Sequence, residues 1–341
     1  MLYALLAAML FGAATPASKA LLSDLNSFQL AGLLYLGAAV GVAPVAFRTG
    51  RVRLPSDKRN RLFLVGAIVS GGIVGPVLLL FGLRLAAATS VSLWLNFELA
   101  ATAVLGVFFF RDRLGPQGWA GVACAFGGAV LLSAQGGSAG LAAAGLVLLA
   151  CAFWGLDNHL TGLIDGITPA ESTFWKGVVA GSVNLGIGVV LVSRIPALQV
   201  VGAALVVGAF AYGVSIVLYI TSAHALGSTR AQVVFSTAPF FGLLLSALLL
   251  KEHLTVLHLG SGLLFAAGIA LLFRERHAHE HAHEAVDHEH EHAHDEGHHH
   301  HDHGDVPLMG RHSHRHLHDA ERHDHTHLPD LHHRHGHDHQ G

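Results

Sequence analysis

Four ionisable side chains stand inside stretches that are otherwise fit for hydrocarbon: Lys19, Glu98, Asp157 and His159. A charge at the centre of a membrane helix costs at least about 2.5 to 3.5 kcal/mol on insertion scales, so each is a candidate for a substrate or coupling-ion path. Glu98 lies in Trp94-Leu95-Asn96-Phe97-Glu98. Trp94 and Glu98, at i and i+4, share a helix face, with Asn96 two residues from Glu98. A carboxylate beside an indole can bind a cation, carry a coupling proton, or alternate between the two. The plainer alternative is a structural ion pair between Glu98 and Lys19, or a Lys19 that snorkels to the membrane interface. Asp157 and His159, at i and i+2, diverge by about 200 degrees, so they hold one ion between them only if their helix is broken. His224 and Arg230 fall at a predicted helix junction, where an interfacial role is expected.

A second kind of chemistry is confined to the C-terminus. Of the 29 histidines, all but His159, His224, His253 and His258 follow residue 276, interleaved with Asp, Glu, Ala and Gly. Neutral imidazole suits Ni, Zn, Co and Cu, with carboxylates as outer support. In an extended chain His-x-His sets two rings on one side, about 6 to 7 Å apart. The pattern recurs at His277 and His279, His281 and His283, His292 and His294, and His312, His314 and His316, and the run His298, His299, His300 and His301 adds density. These are not the fixed spacings of a structural zinc site. They predict overlapping, exchangeable sites for a divalent transition metal, or a segment whose charge swings with pH near 6.5. With so little to bury, residues 277–341 are expected to be disordered without a ligand.

The elements that must position the buried charges are membrane helices. Mean hydropathy is +0.50 even with the polar tail included, beyond the range of soluble domains. Apolar runs long enough to span a bilayer recur at roughly 2–22, 28–47, 62–83, 88–110, 117–134, 140–160, 172–193, 199–221, 229–250 and 256–273, which predicts an all-α integral membrane protein of ten spans. The N-terminal run lacks a basic leader and continues through Thr15-Pro16-Ala17-Ser18-Lys19, which reads as a retained first helix. Cys124 and Cys151 both fall within spans and read as small packing residues.

The chain repeats itself. A shift of 140 residues pairs Thr89 with Thr229, Arg111-Asp112-Arg113-Leu114 with Lys251-Glu252-His253-Leu254, and Gly128-Ala129-Val130 with Gly268-Ile269-Ala270. Further upstream a shift of 143 pairs Phe11-Gly12 with Trp154-Gly155. The division is thus 1–134, 140–274 and a tail, 277–341. Five spans per half is odd, so the halves enter the membrane from opposite sides, as in secondary transporters that bind solute near the midplane between inverted repeats. Arg48, Arg51, Arg53, Lys58, Arg59, Arg61, Arg111, Arg113, Arg230, Arg274 and Arg276 outnumber Arg84, Arg194 and Lys251 on the opposite side, so both termini and the tail are expected in the cytoplasm, with the chain in the plasma (inner) membrane.

Together, the ten spans, Phe11-Gly12 leading to Lys19, the echo Trp154-Gly155-Leu156-Asp157-Asn158 and the acidic-basic cluster closing each fourth helix resemble the EamA-type drug/metabolite transporter superfamily over residues 1–274. The resemblance implies a small-solute carrier, often an exporter. It also implies a proline midway along each fourth helix. Pro239 fits, whereas the first half reads Asn96-Phe97-Glu98-Leu99. Expected partners are the lipid bilayer and a small-molecule or ion substrate; a homodimer is compatible and nucleic acid is not expected. No cofactor is expected for transport, and there is no phosphate-cradling GxxxxGK[ST] motif, serine elbow or HExxH, so the chain does not read as an enzyme. Two functions compete: a carrier of an organic metabolite or drug with a metal-binding tail, and a carrier of a transition-metal ion that the tail captures or meters.

Overall fold

A computed structural model describes residues 1–48, 50–109, 114–134, 137–192, 196–226 and 228–274, with the tail segments 280–282, 286–292, 312–318 and 322–324. Helices occupy all ten predicted positions: α1 Leu2–Leu21, α2 Ser27–Ala46, α3 Lys58–Leu85, α4 Ala88–Phe109, α5 Pro116–Ser133, α6 Gly137–Thr161, α7 Pro169–Leu191, α8 Leu198–Ser222, α9 Ala231–Leu249 and α10 Val256–Arg274. Among the described residues, nine are long and apolar enough to cross a membrane. The tenth is α5, 18 residues opening on Pro116-Gln117-Gly118, which packs along α10.

Local chemistry sets several ends. Asn26 accepts from the Gln29 amide at 2.8 Å while Gln29 returns a bond to the Asn26 amide, a capping box that opens α2. Thr168 and Glu171 do the same for α7, with Pro169 preset for the first helical position. This start lies three residues before the one expected from the apolar run. Glu171 has a second partner, the Arg53 guanidinium at 3.2 Å, which ties the α2–α3 connection to α7.

Inversion of the two halves is visible in their crossings. Gly12 of α1 abuts Ala238 and Gly242 of α9, where an added Cβ would press into the Ala238 carbonyl. Gly155 of α6 meets α4, and a Cβ there would lie 3.0 Å from the Thr102 amide. Gly12 and Gly155 are the pair related by 143 residues, and Thr102 and Gly242 are related by 140. The first helix of each half therefore crosses the fourth helix of the other. Helix axes this close leave no room for a side chain. Replacing Gly155 with leucine should cost about 1 to 3 kcal/mol by overpacking. A lowered unfolding temperature in detergent would register it, and an unchanged one would mean that the crossing is slack.

Departures from regular helix also come in related pairs. α3 carries a π-helical segment, Ile68–Val74, and α8 carries another, Ala209–Val214. α4 is interrupted at Leu95 and Asn96, between segments Ala88–Trp94 and Phe97–Phe109, and α9 is interrupted at Ser236 and Thr237. Asn96 donates to the Leu93 carbonyl at 3.0 Å and Ser236 donates to the Val233 carbonyl at 2.8 Å. Both reach back three residues, at positions 140 apart. A polar side chain that competes for a carbonyl of the helical ladder favours a break at that point. Pro239 adds to it in the second half, and the first half has no need of a proline at Leu99.

In the tail, β1 Glu280–Ala282 pairs antiparallel with β4 Arg322–Asp324, and β2 Val286–His292 pairs with β3 His312–His318. Over these segments the backbone is paired where composition predicts no regular structure. The cause is the same alternation that suggested metal ligands, since a period of two is also the period of a strand. Among the tail histidines expected to bind metal, His281, His292, His312, His314 and His316 fall in these strands. His277, His279, His283, His294, His298, His299, His300 and His301 lie outside the described residues.

Candidate functional site

The two helix interruptions and the two π-helical segments surround one region midway through the bundle, and the buried charges gather there. Glu98 sits in the first turn after the α4 break. Its Oε1 accepts from Asn158 Nδ2 of α6 at 3.0 Å, and Asn158 also donates to Thr102 Oγ1 at 3.3 Å. Among the described residues no cation stands within ion-pairing distance of Glu98.

Asp157, one residue back on α6, faces another neighbour. Lys176 Nζ of α7 lies 2.9 Å from its Oδ1 and 3.0 Å from its Oδ2, and Thr161 donates to Oδ1 at 2.9 Å. Lys176 also donates to Thr161 Oγ1 at 3.2 Å, so the pair is hydrogen-bonded on several sides. Such satisfaction is what a buried ion pair needs to persist. His159 turns toward α4, its Nε2 2.9 Å from the Thr102 carbonyl. The spacing argument that sends Asp157 and His159 to different partners matches this geometry.

Beside the acidic cluster, the π-helical segment of α3 leaves the Gly71 carbonyl free to accept from two aromatic donors: Tyr35 Oη at 2.5 Å and Trp154 Nε1 at 3.0 Å. An added Cβ on Gly71 would collide with the Asp157 carboxylate, so the segment and the ion pair are in direct contact. From Tyr35 an aromatic row continues to Tyr212 (6.1 Å between ring centroids), Phe11 (5.5 Å), Phe235 (5.3 Å) and Tyr219 (4.9 Å). Tyr219 donates to Gln232 Oε1 at 2.6 Å. The region thus has a charged wall, with Glu98 from α4, Asp157 from α6 and Lys176 from α7, and an aromatic wall from α1, α2, α8 and α9.

Two sequence expectations are corrected here. Trp94 does not share a face with Glu98, because the α4 break falls between them; its indole donates to the Ala129 carbonyl of α5 at 3.3 Å and is buried. The indole near the acids is Trp154. Lys19 does not pair with Glu98: it donates to the Leu83 and Ala86 carbonyls at 2.6 and 2.9 Å, closing the C-terminal end of α3. Asn96 acts at the break and leaves its Oδ1 buried without a partner. Lys176 was missed, although the cost that singles out Lys19 applies to any lysine one turn inside an apolar run. The side chains of His224 and Arg230 lie outside the described residues.

Ten helices in two inverted halves, paired interruptions and a charged cluster at mid-depth define a multi-pass membrane protein with the architecture of a secondary transporter. The comparisons with known proteins agree. The pattern of the EamA-like transporter family matches residues 1–134 and again 141–274, and the chain belongs to that family. An uncharacterized transporter of Methanothermobacter thermautotrophicus is 25% identical over 289 residues, covering 78% of this chain and 84% of that protein. A crystal structure at 16% identity superposes with a TM-score of 0.58, covers 80% of this chain and 95% of its own, and shares the fold.

Proposed function

We propose that this transporter moves a small organic solute by alternating access, as an exporter, and that Glu98 is the group that exchanges a coupling proton for the solute. The observation that carries the reading is the charge balance at mid-depth. Asp157 is matched by Lys176, whereas Glu98 has an amide for a partner, so the ionised cluster holds one negative charge in excess. Such a site favours either a proton or a cationic group. With an aromatic row alongside, the solute class that fits is an organic amine with an apolar body. The chain resides in the plasma (inner) membrane with both termini in the cytoplasm, and the tail binds a divalent transition metal there.

The density of histidine in the tail favours a second reading, in which the body moves Ni, Co or Zn and the tail meters it. Such a path wants several soft or imidazole ligands in one place. Among the described residues no three His, Cys, Asp or Glu side chains converge on a metal-sized site.

Proteoliposomes separate the two. Ethidium efflux driven by a proton gradient, and radiolabelled Ni, Co and Zn flux, are measured for the full chain and for a chain ending at Arg276. Proton-driven ethidium movement by both chains, with metal bound calorimetrically by the full chain alone, is the expected result. Metal flux through the shorter chain, without ethidium movement, would overturn it in favour of the second reading. The shorter chain should also retain its folded helical body, because every span among the described residues lies before residue 275.

A further inference from the structure

Helices α1, α4, α9 and α10 enclose a second polar feature, separate from the acidic cluster and nearer the end of the bundle opposite the termini. Hydroxyls in this protein ordinarily satisfy themselves on their own helix. Ser70, Thr102, Thr221 and Ser246 each donate to the carbonyl four residues back, at 2.7 or 2.8 Å. Thr89 and Ser92 do not, and neither do Ser172, Ser222 and Ser261 on other helices. Thr89 Oγ1, Ser92 Oγ and Asn96 Oδ1 are buried and have no hydrogen-bond partner, with residue exposures of 1%, 0% and 5%. Thr89 and Ser92 are one helical turn apart, so they share a face, and Asn96 continues it at the break.

That face is shut against the opposite repeat. A Cβ added to Gly242 of α9 would lie 2.8 Å from Ser92 Oγ and 3.0 Å from the Gly12 carbonyl of α1. At the far end of the same face, Glu252, from the connection between α9 and α10, reaches across. Its two carboxylate oxygens accept from the amides of Ala88 and Thr89 at 2.9 and 2.7 Å. Those amides open α4, where backbone donors lack helical partners and the helix dipole favours negative charge. His258 of α10 adds a contact, its Nε2 3.2 Å from Ser90 Oγ. On the other side of the short α3–α4 connection, Lys19 holds the carbonyls that end α3.

We propose that the face of α4 bearing Thr89, Ser92 and Asn96 is the outer half of the solute path, closed in this conformation, and that Glu252 is the latch that keeps it closed. Polar atoms without a protein partner in a packed seam gain one when solute enters, so this face is poised to part from Gly12 and Gly242. A carboxylate lent by one repeat to a helix start of the other holds the seam only while the repeats are together. The solute then meets neutral oxygens after leaving Glu98, which suits a polar group that must not be held tightly on its way out. The inference rests on alternating access by this family and not on the identity of the solute.

The test reads access, so it is independent of the flux assay above. In a chain with Cys124 and Cys151 replaced by alanine, the Ser92→Cys thiol is exposed to a charged, membrane-impermeant methanethiosulfonate reagent, with Val91→Cys as a control off this face. With Glu252 present, the Ser92→Cys thiol should react slowly. Glu252→Gln should accelerate it about tenfold, from one side of the membrane only, and leave Val91→Cys unreactive. Glu252→Asp should fall between. An unchanged rate in Glu252→Gln, or equal acceleration at Val91→Cys, would overturn the proposal, the second outcome marking general loosening. If Glu252→Gln does not fold, Glu252→Asp decides: a carboxylate one methylene shorter should speed the reaction at Ser92→Cys and leave Val91→Cys unreactive, and an unchanged rate would equally overturn the proposal.

Discussion

Glu98→Gln is expected to insert and fold normally, to lose proton-driven solute movement, and to gain thermal stability in detergent. Glutamine keeps the length of the side chain and the oxygen that accepts from Asn158 Nδ2 at 3.0 Å, so local geometry survives. What disappears is a negative charge with no cation within ion-pairing distance among the described residues. An uncompensated carboxylate in a membrane bundle is a cost to the fold, and its removal relieves that cost. The same removal abolishes the site's choice between proton and cation. A hydrogen bond to a charged group is worth about 1.5 to 3 kcal/mol, so affinity for a cationic solute should drop by roughly ten- to a hundredfold. Proton-driven flux should vanish, because a glutamine carries no proton through the cycle. Opposite changes in stability and activity are the signature of a residue kept for function. Ethidium flux together with a melting curve checks both. Flux within twofold of the parent chain would remove Glu98 from the mechanism.

Conservative substitutions sharpen this result. Glu98→Asp keeps the charge but withdraws it by one methylene from Asn158, so part of the transport should return. The flanking histidine offers a contrast. His159 bonds the Thr102 carbonyl at 2.9 Å and lies on another side of α6 from Asp157, so it positions α6 against α4 beside the site.

Much of the architecture was legible because membrane physics leaves few choices. Apolar runs of about 20 residues become helices wherever lipid is the solvent. The internal shift of 140 residues exposed the two halves, while the related breaks at Asn96 and Ser236 emerge only in the structure. What the sequence concealed was local. The Trp94–Glu98 pairing assumed an unbroken helix, and the break came from an asparagine bond to Leu93, a signal that resembles any buried polar residue. The π-helical segment of α8 carries no proline to announce it, whereas the one in α3 ends two residues before Pro76, which has no N–H for the Gly71 carbonyl five residues back and so leaves it to Tyr35 and Trp154. Lys176 was legible in principle. It stands one turn inside an apolar run, and its partner Asp157 lies just 19 residues earlier.

That partnership gives the second large effect. Neutralising either member alone, by Asp157→Asn or Lys176→Gln, should destabilise the protein by about 3 to 5 kcal/mol, because the charge left behind is buried without compensation. The side chains of Lys176 and Asp157 are 15% and 11% exposed, too little for solvent to replace the lost partner. The double variant carries no stranded charge and keeps neutral hydrogen bonding around Thr161, so most of the stability should return. Non-additivity is therefore the measurement: a double-mutant cycle from thermal unfolding in detergent should give a coupling of several kcal/mol. Additive losses would mean that the two charges are solvated separately and that the pair does not organise α6 against α7. Transport by the refolded double variant then separates structure from path. If the pair serves only to set the α6–α7 geometry beside Glu98, the neutral version should still move solute. If it moves none while melting like the parent, Asp157 or Lys176 takes part in the path, and the site extends from Glu98 to α7.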